Sequence, residues 1–230
     1  MEIGLNPTFI TGVLQIIAID ILLGGDNAVV IALACRNLPH EQRKKGIFWG
    51  VLGAIALRFI LIFFALHLLT LPYVKIIGGL LLLWIGVKLL LPDKHDHGEI
   101  EGSGHLLGAI KTIIVADAVM SIDNVIAVSA AAHGHMVLVI FGIAVSIPII
   151  VWGSQIILKL LERFPIIVYF GGGLLGWIGG HMLMTDTALH PLIGDWPSYS
   201  KYISSVIGAI FVVALGYWVA HRDKNKPMKS

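Results

Sequence analysis

Charge is what this 230-residue chain has least of: only 13% of its residues are Asp, Glu, Lys or Arg, while 57% are hydrophobic. With a mean hydropathy of +0.89, that balance excludes an ordinary soluble domain, and soluble catalysis with it; the composition is that of a polytopic membrane protein. Cysteine is nearly absent. The single Cys35 rules out an internal disulfide and any thiolate metal cluster within one chain, and it reads as a small apolar residue near a helix end. No nucleophile–base pair or active-site motif stands out, so no enzymatic activity and no organic cofactor are expected. The N-terminus lacks a basic segment followed by a small-residue cleavage site, so the first apolar stretch is expected to remain as a helix.

A bilayer core of ~30 Å needs about 20 apolar residues in a helix. Seven stretches qualify, at about 9–33, 47–69, 73–91, 106–131, 135–158, 165–184 and 202–220. The expected fold is therefore all-α, a single polytopic membrane domain spanning 1–230 with seven transmembrane helices. Basic residues sort into alternate loops: Arg36, Arg43, Lys44 and Lys45 in the first, Lys88 and Lys94 around the third, Lys159 and Arg163 at the fifth, and Arg222, Lys224, Lys226 and Lys229 on the tail. The other connections carry only Lys75 and Lys201 nearby. The positive-inside rule then places the N-terminus outside and the C-terminus in the cytoplasm. Trp196, Tyr199 and Tyr202 suit an outer interfacial belt.

Against that apolar background stand four intramembrane aspartates in two matching motifs of form D-x5-D-N. Asp20, Asp26 and Asn27 form one; Asp117, Asp123 and Asn124 form the other, 97 residues on. A carboxylate near the bilayer centre costs ~2.5–3.5 kcal/mol on insertion scales, so the chain is expected to use these charges. The repeat extends further, since Gly78-Gly79 through Trp84-Ile85-Gly86 matches Gly171-Gly172 through Trp177-Ile178-Gly179. Each half (about 9–91 and 106–184, joined by a cytoplasmic linker at 92–105) holds three helices, and an odd number inverts the second half relative to the first. Two inverted three-helix repeats plus one extra helix at about 202–220 form a transporter-like plan, with the polar site at the repeat interface.

On a helix, positions i, i+4 and i+7 share a face, which aligns Asp20, Gly24 and Asn27, and likewise Asp117, Ser121 and Asn124. Asp26 and Asp123 fall ~120° away. Local unwinding at Gly24-Gly25 would bring Asp26 round, while the second half has Ser121-Ile122 there. Asp and Asn offer only oxygen, which suits hard divalent ions such as Mg²⁺, Ca²⁺ and Mn²⁺; interhelical hydrogen bonding is the plainer alternative. Arg58, mid-span in the second helix, must pair with one of these carboxylates because an unpaired buried charge is very costly. It could keep an aspartate ionised, occupy the site when the ion has left, or form a purely structural pair. Ser154 and Gln155 read as interhelical hydrogen-bonding residues. His95, Asp96 and His97 in the linker could gather cations at the entrance or simply be solvated, and His133 and His135 could assist at the exit. His67, His181 and Asp186 carry too little context to assign.

The paired motifs Asp20…Asp26-Asn27 and Asp117…Asp123-Asn124, with Arg58 and seven spans, resemble the TerC family of bacterial integral membrane proteins, named after tellurium resistance. The likeness covers about residues 9–220, and the compact form without appended domains looks most like the YjbE-type branch. The resemblance implies a cytoplasmic (inner) membrane location, Mn²⁺ as transported ion and export as its direction, with the acidic residues and their asparagines as metal ligands. The expected function is thus export of Mn²⁺ by alternating access, with proton exchange. The rival is a membrane scaffold or accessory protein of a metal- or tellurium-resistance complex; an amino-acid exporter ranks last. Expected partners are the divalent ion, protons and the lipid bilayer, with a homo-oligomer or a membrane-complex partner left open and no nucleic acid.

Overall fold

The computed structural model describes residues 25–91, 102–131, 136–189, 197 and 199–224, together with Leu14, Ile17 and Ala18; within these, the side chains of 65–70, 102–104, 123–131, 136–139, 141, 223 and 224 are not described. Among the described residues seven helices follow one another: α1 (Gly25–Cys35), α2 (His40–Thr70), α3 (Val74–Leu90), α4 (Gly102–Ala131), α5 (Met136–Arg163), α6 (Ile166–Met184) and α7 (Ser200–Lys224). There is no strand among the described residues. Each helix falls on an expected apolar stretch. Five of them, α2, α4, α5, α6 and α7, are long and apolar enough to cross a membrane. The 17 residues of α3 reach only ~26 Å at ~1.5 Å per residue, a little under the ~30 Å hydrocarbon core.

Local chemistry sets the helix ends. Pro39 precedes α2, and its carbonyl accepts from the amides of Gln42 and Arg43 at 2.8 and 3.2 Å. Before α3, Tyr73 adopts the left-handed conformation, φ 69°, a strained state for a side chain of that bulk. Helix α3 stops at Leu91, which is extended (φ −71°, ψ 139°) because the following Pro92 disfavours helical backbone in the residue before it. Within α5, Pro148 removes one backbone donor while the helix continues.

Packing inverts the pattern of a soluble protein. On α3 the buried positions include Gly78, Gly79 and Gly86, while Ile77, Leu80 and Trp84 point outward. Phe63 and Ile166, 75% and 76% exposed, are the extremes of this outer surface among the described residues. Small residues inside and large apolar ones outside let helix backbones approach closely and offer lipid a greasy face. At the centre, α3 and α6 meet through glycines of the two matched motifs. A Cβ on Gly79 would lie 2.6 Å from the Gly179 carbonyl oxygen, and one on Gly179 would lie 2.8 Å from that of Gly79. Helix α7 closes on α6 the same way, with Gly176 and Gly208 in backbone contact. A second group joins α1, α2 and α4 through Ile31, Cys35, Ile47, Val51, Ala109 and Ile113, with Ile147 and Ile150 of α5 against it.

Side chains pin the two ends of the bundle. At one end Arg43 donates to the carbonyls of Leu38 (2.9 Å) and Arg36 (3.0 Å) and pairs with Glu162 at the end of α5. Arg36 donates to the Leu91 carbonyl at 3.3 Å, so the ends of α1, α3 and α5 gather beside the basic first loop. At the opposite end, Asp186 after α6 meets the start of α3.

Candidate functional site

Of the carboxylates that the sequence offered Arg58, the structure pairs it with Asp117. From α2, the Arg58 Nη2 donates to Asp117 Oδ1 of α4 at 2.6 Å and its Nε donates to Ser121 Oγ at 3.1 Å. The Ser121 hydroxyl in turn donates to Asp117 Oδ2 at 3.3 Å. All three are buried, with exposures of 5% for Arg58, 7% for Asp117 and 0% for Ser121. The arrangement follows from helix geometry: Asp117 and Ser121 are one turn apart on the same face, and a planar guanidinium offers donors at the matching spread. α2 comes close enough to α4 because Gly50 and Gly53 lie directly against Ile113 and Ile114.

Across from this pair, α1 supplies Asn27, 3% exposed. Neither its Oδ1 nor its Nδ2 has a hydrogen-bond partner, and the buried Oδ1 of Asp26 has none either. Buried polar atoms are nearly always paired, so orphans signal a functional site. Between the two sides lies a cavity of about 20 Å³ lined by Asn27, Ile31, Ala54, Arg58, Asp117 and Ser146, enough for about one water by the ~10–15 Å³ that a water needs. The described atoms available to a ligand here are oxygens of carboxylate, amide and hydroxyl groups, the donor set of a hard cation. Among the described residues, no three His, Cys, Asp or Glu side chains cluster as a metal site.

The structure brings together Asp26, Asn27, Arg58, Asp117 and Ser121. Asp20, His95, Asp96, His97, His133 and His135 lie outside the described residues, while Asp123 and Asn124 are in the helical backbone of α4 with their side chains undescribed. Unwinding is not seen where it is described: the backbone is helical from Gly25 onward and α4 runs on through Ser121-Ile122. A continuous helix keeps every backbone amide bonded in an apolar surround, and Asp26 accordingly stays half-buried beside the cavity instead of turning into it. Ser154 differs from expectation too. Its hydroxyl donates to the Val151 carbonyl of its own helix at 2.8 Å, the usual local solution for serine in a membrane helix. Gln155, half-buried on α5, does not line the cavity.

Two residues went unassigned in the sequence. Ser146 lines the cavity with its hydroxyl donating to Ile143 at 2.8 Å; a serine in an apolar helix beside Pro148 was its only signal. Asp186 is the other. Its Oδ1 accepts from the amides of Tyr73 (3.0 Å) and Ala188 (2.7 Å), and its Oδ2 from those of Lys75 (2.9 Å) and Ile76 (3.1 Å). One carboxylate thus caps α3 from a different part of the chain. Burial acts to raise its pKa, but those backbone donors outweigh burial and hold it below the usual 3.8.

The model of the integral membrane protein TerC family matches residues 5–224. Among similar proteins, membrane protein YjbE of Bacillus subtilis (strain 168) is 41% identical over 210 residues, covering 91% of this chain and 96% of that one. Membrane protein YkoY of the same organism is 29% identical over 186 residues, 72% of this chain and 57% of YkoY. The inner membrane protein YoaE of Escherichia coli (strain K12) is 23% identical over 242 residues, 97% of this chain but 45% of YoaE. No solved structure matches the chain.

Proposed function

The chain belongs to the TerC family of integral membrane proteins, and on that premise we propose that it exports Mn²⁺, or a hard divalent cation like it, from the cytoplasm. The observation that carries this reading is the small cavity inside a helical bundle where unpartnered Asn27 atoms face a buried Arg58–Asp117 pair, with the unpartnered Asp26 Oδ1 on the residue next to Asn27. Buried ionisable groups in a membrane helix bundle mark ion pathways. Asp20, Asp123 and Asn124 complete the ligand set from the two motifs. Seven spans in two inverted three-helix repeats plus α7 frame it, with the N-terminus outside. The reciprocal approach of Gly79 and Gly179 supports the inversion, because its image under the motif match recurs: a Cβ on Gly86 would lie 3.4 Å from the Gly172 carbonyl oxygen.

Transport proceeds by alternating access with proton exchange. A divalent ion leaving against ~150 mV requires about 7 kcal/mol, and two incoming protons cancel that electrically. Intramembrane carboxylates bind either ion, so metal and proton compete for one site. Inside-out vesicles test the reading. Wild-type vesicles should accumulate Mn²⁺ in step with an imposed pH gradient, and Asp117→Asn should abolish uptake. Uptake indifferent to the gradient removes proton exchange; absence of uptake by folded wild type removes the transporter and leaves a membrane scaffold in its place.

A further inference from the structure

Both oxygens of Asp117 are already engaged. Arg58 holds Oδ1 at 2.6 Å, and Ser121, itself anchoring the Arg58 Nε at 3.1 Å, donates to Oδ2 at 3.3 Å. A divalent ion on Asp117 needs at least one of these oxygens, and beside a guanidinium it would meet a like charge at contact range in a poorly screened interior. Ion and arginine are therefore alternatives. On the other side of the cavity Asn27 Oδ1 stands without a hydrogen-bond partner, as does Asp26 Oδ1 on the adjacent residue. The site thus has one open half and one half held by a cation that the protein carries itself.

We propose that Arg58 is a tethered counter-ion: it takes the metal's place on Asp117 after release, so that the unloaded carrier returns with that carboxylate neutralised. This rests on the metal-transport reading and adds the return step to it. A guanidinium stays protonated at every working pH, so the return of Asp117 needs no proton, leaving the other acidic residues to carry any that are exchanged. Ser121 sets the resting position by fixing Nε while Nη2 reaches the carboxylate. Arg58 loses Asp117 to an arriving ion because a divalent ion brings two positive charges to that carboxylate where the guanidinium brings one, and it regains Asp117 when the ion leaves.

Proteoliposomes separate this role from a structural one, because exchange uses only the loaded carrier whereas net flux also needs the unloaded return. With radioactive Mn²⁺, net flux into a metal-free lumen is compared with exchange against a Mn²⁺-loaded lumen. Arg58→Gln should lower the ratio of net flux to exchange by about tenfold or more, inside the ~5–150-fold range of coupled sites. A folded Arg58→Gln protein in which both fluxes fall together, or in which net flux survives, overturns the proposal. Should that variant fail to fold, Ser121→Ala decides: with Arg58 less firmly anchored, Mn²⁺ should bind the purified protein at least about threefold more tightly, and unchanged or weaker binding overturns the proposal. Wild type that neither moves nor binds Mn²⁺ would sink the transport reading itself, a separate result from either variant's.

Discussion

Removing the Asp186 carboxylate should weaken the bundle at the end where α6 meets the start of α3, and by an amount that depends on pH. The side chain is buried and accepts from four backbone amides, three of them at the start of α3. Losing an N-terminal cap costs about 0.5–2 kcal/mol. Losing a negative charge at a partly buried helix N-terminus adds up to ~2 kcal/mol. Water reaching the exposed amides recovers part of this, so Asp186→Ala should cost about 2–3 kcal/mol at neutral pH. At ~2–4 °C per kcal/mol for a chain of this size, the melting temperature should drop by about 4–12 °C. Asp186→Asn, keeping shape and one acceptor oxygen, should cost roughly half as much. The sign with pH follows from the lowered pKa. The folded carboxyl titrates below the unfolded ~3.9, so its contribution is complete above that value and fades as pH falls through the folded-state pKa. Wild type and Asp186→Ala should therefore converge below about pH 3.9, as read by thermal melts in detergent across the pH range. A gap that stays constant from neutral to acid pH would refute the charge-based cap, and a gap under ~0.5 kcal/mol at neutral pH would refute the cap altogether.

Two further outcomes concern stability. Arg58→Met and Asp117→Leu should each destabilise by about 3–5 kcal/mol by stranding a buried charge, while the double variant should recover most of the loss; a double-mutant cycle in thermal melts checks it, and additive losses would contradict the pairing. At the basic end, Arg43→Ala should cost about 1–2 kcal/mol through two lost carbonyl bonds, whereas Glu162→Ala should cost under ~0.5 kcal/mol because that carboxylate is half exposed. Equal losses would mean that the ion pair, not the carbonyl bonds, holds the loop.

How much of this was legible beforehand depended on whether the signal was local. Long apolar runs mark where helices must form in lipid, and each of the seven expected stretches overlaps a helix among the described residues, the first of them at its end, 25–33. The shared face of Asp117 and Ser121 followed from helix periodicity alone and holds in the structure. The choice of Asp117 as the partner of Arg58 did not, because 59 residues separate them and only the approach of α2 to α4 selects one carboxylate among four. Asp186 lay between these cases. It stands seven residues after Gly179, as Asp93 stands seven after Gly86, so extending the repeat past its glycine motif would have flagged the position, though not the helix that it caps. The expectation of unwinding at Gly24-Gly25 rested on glycine's freedom of backbone, which permits a break without requiring one.

The mutual contact of Gly79 and Gly179 makes their mutational effects interdependent. Each glycine leaves room for the other's carbonyl oxygen, so both positions guard a single separation between α3 and α6. An alanine at either one forces the two helices apart, and that displacement also clears the space a methyl group at the other would have filled. The second substitution then costs far less than the first, so the pair behaves epistatically. Tolerance at one position is thus conditional on what already occupies the other, and a scan of single substitutions would count one steric constraint twice.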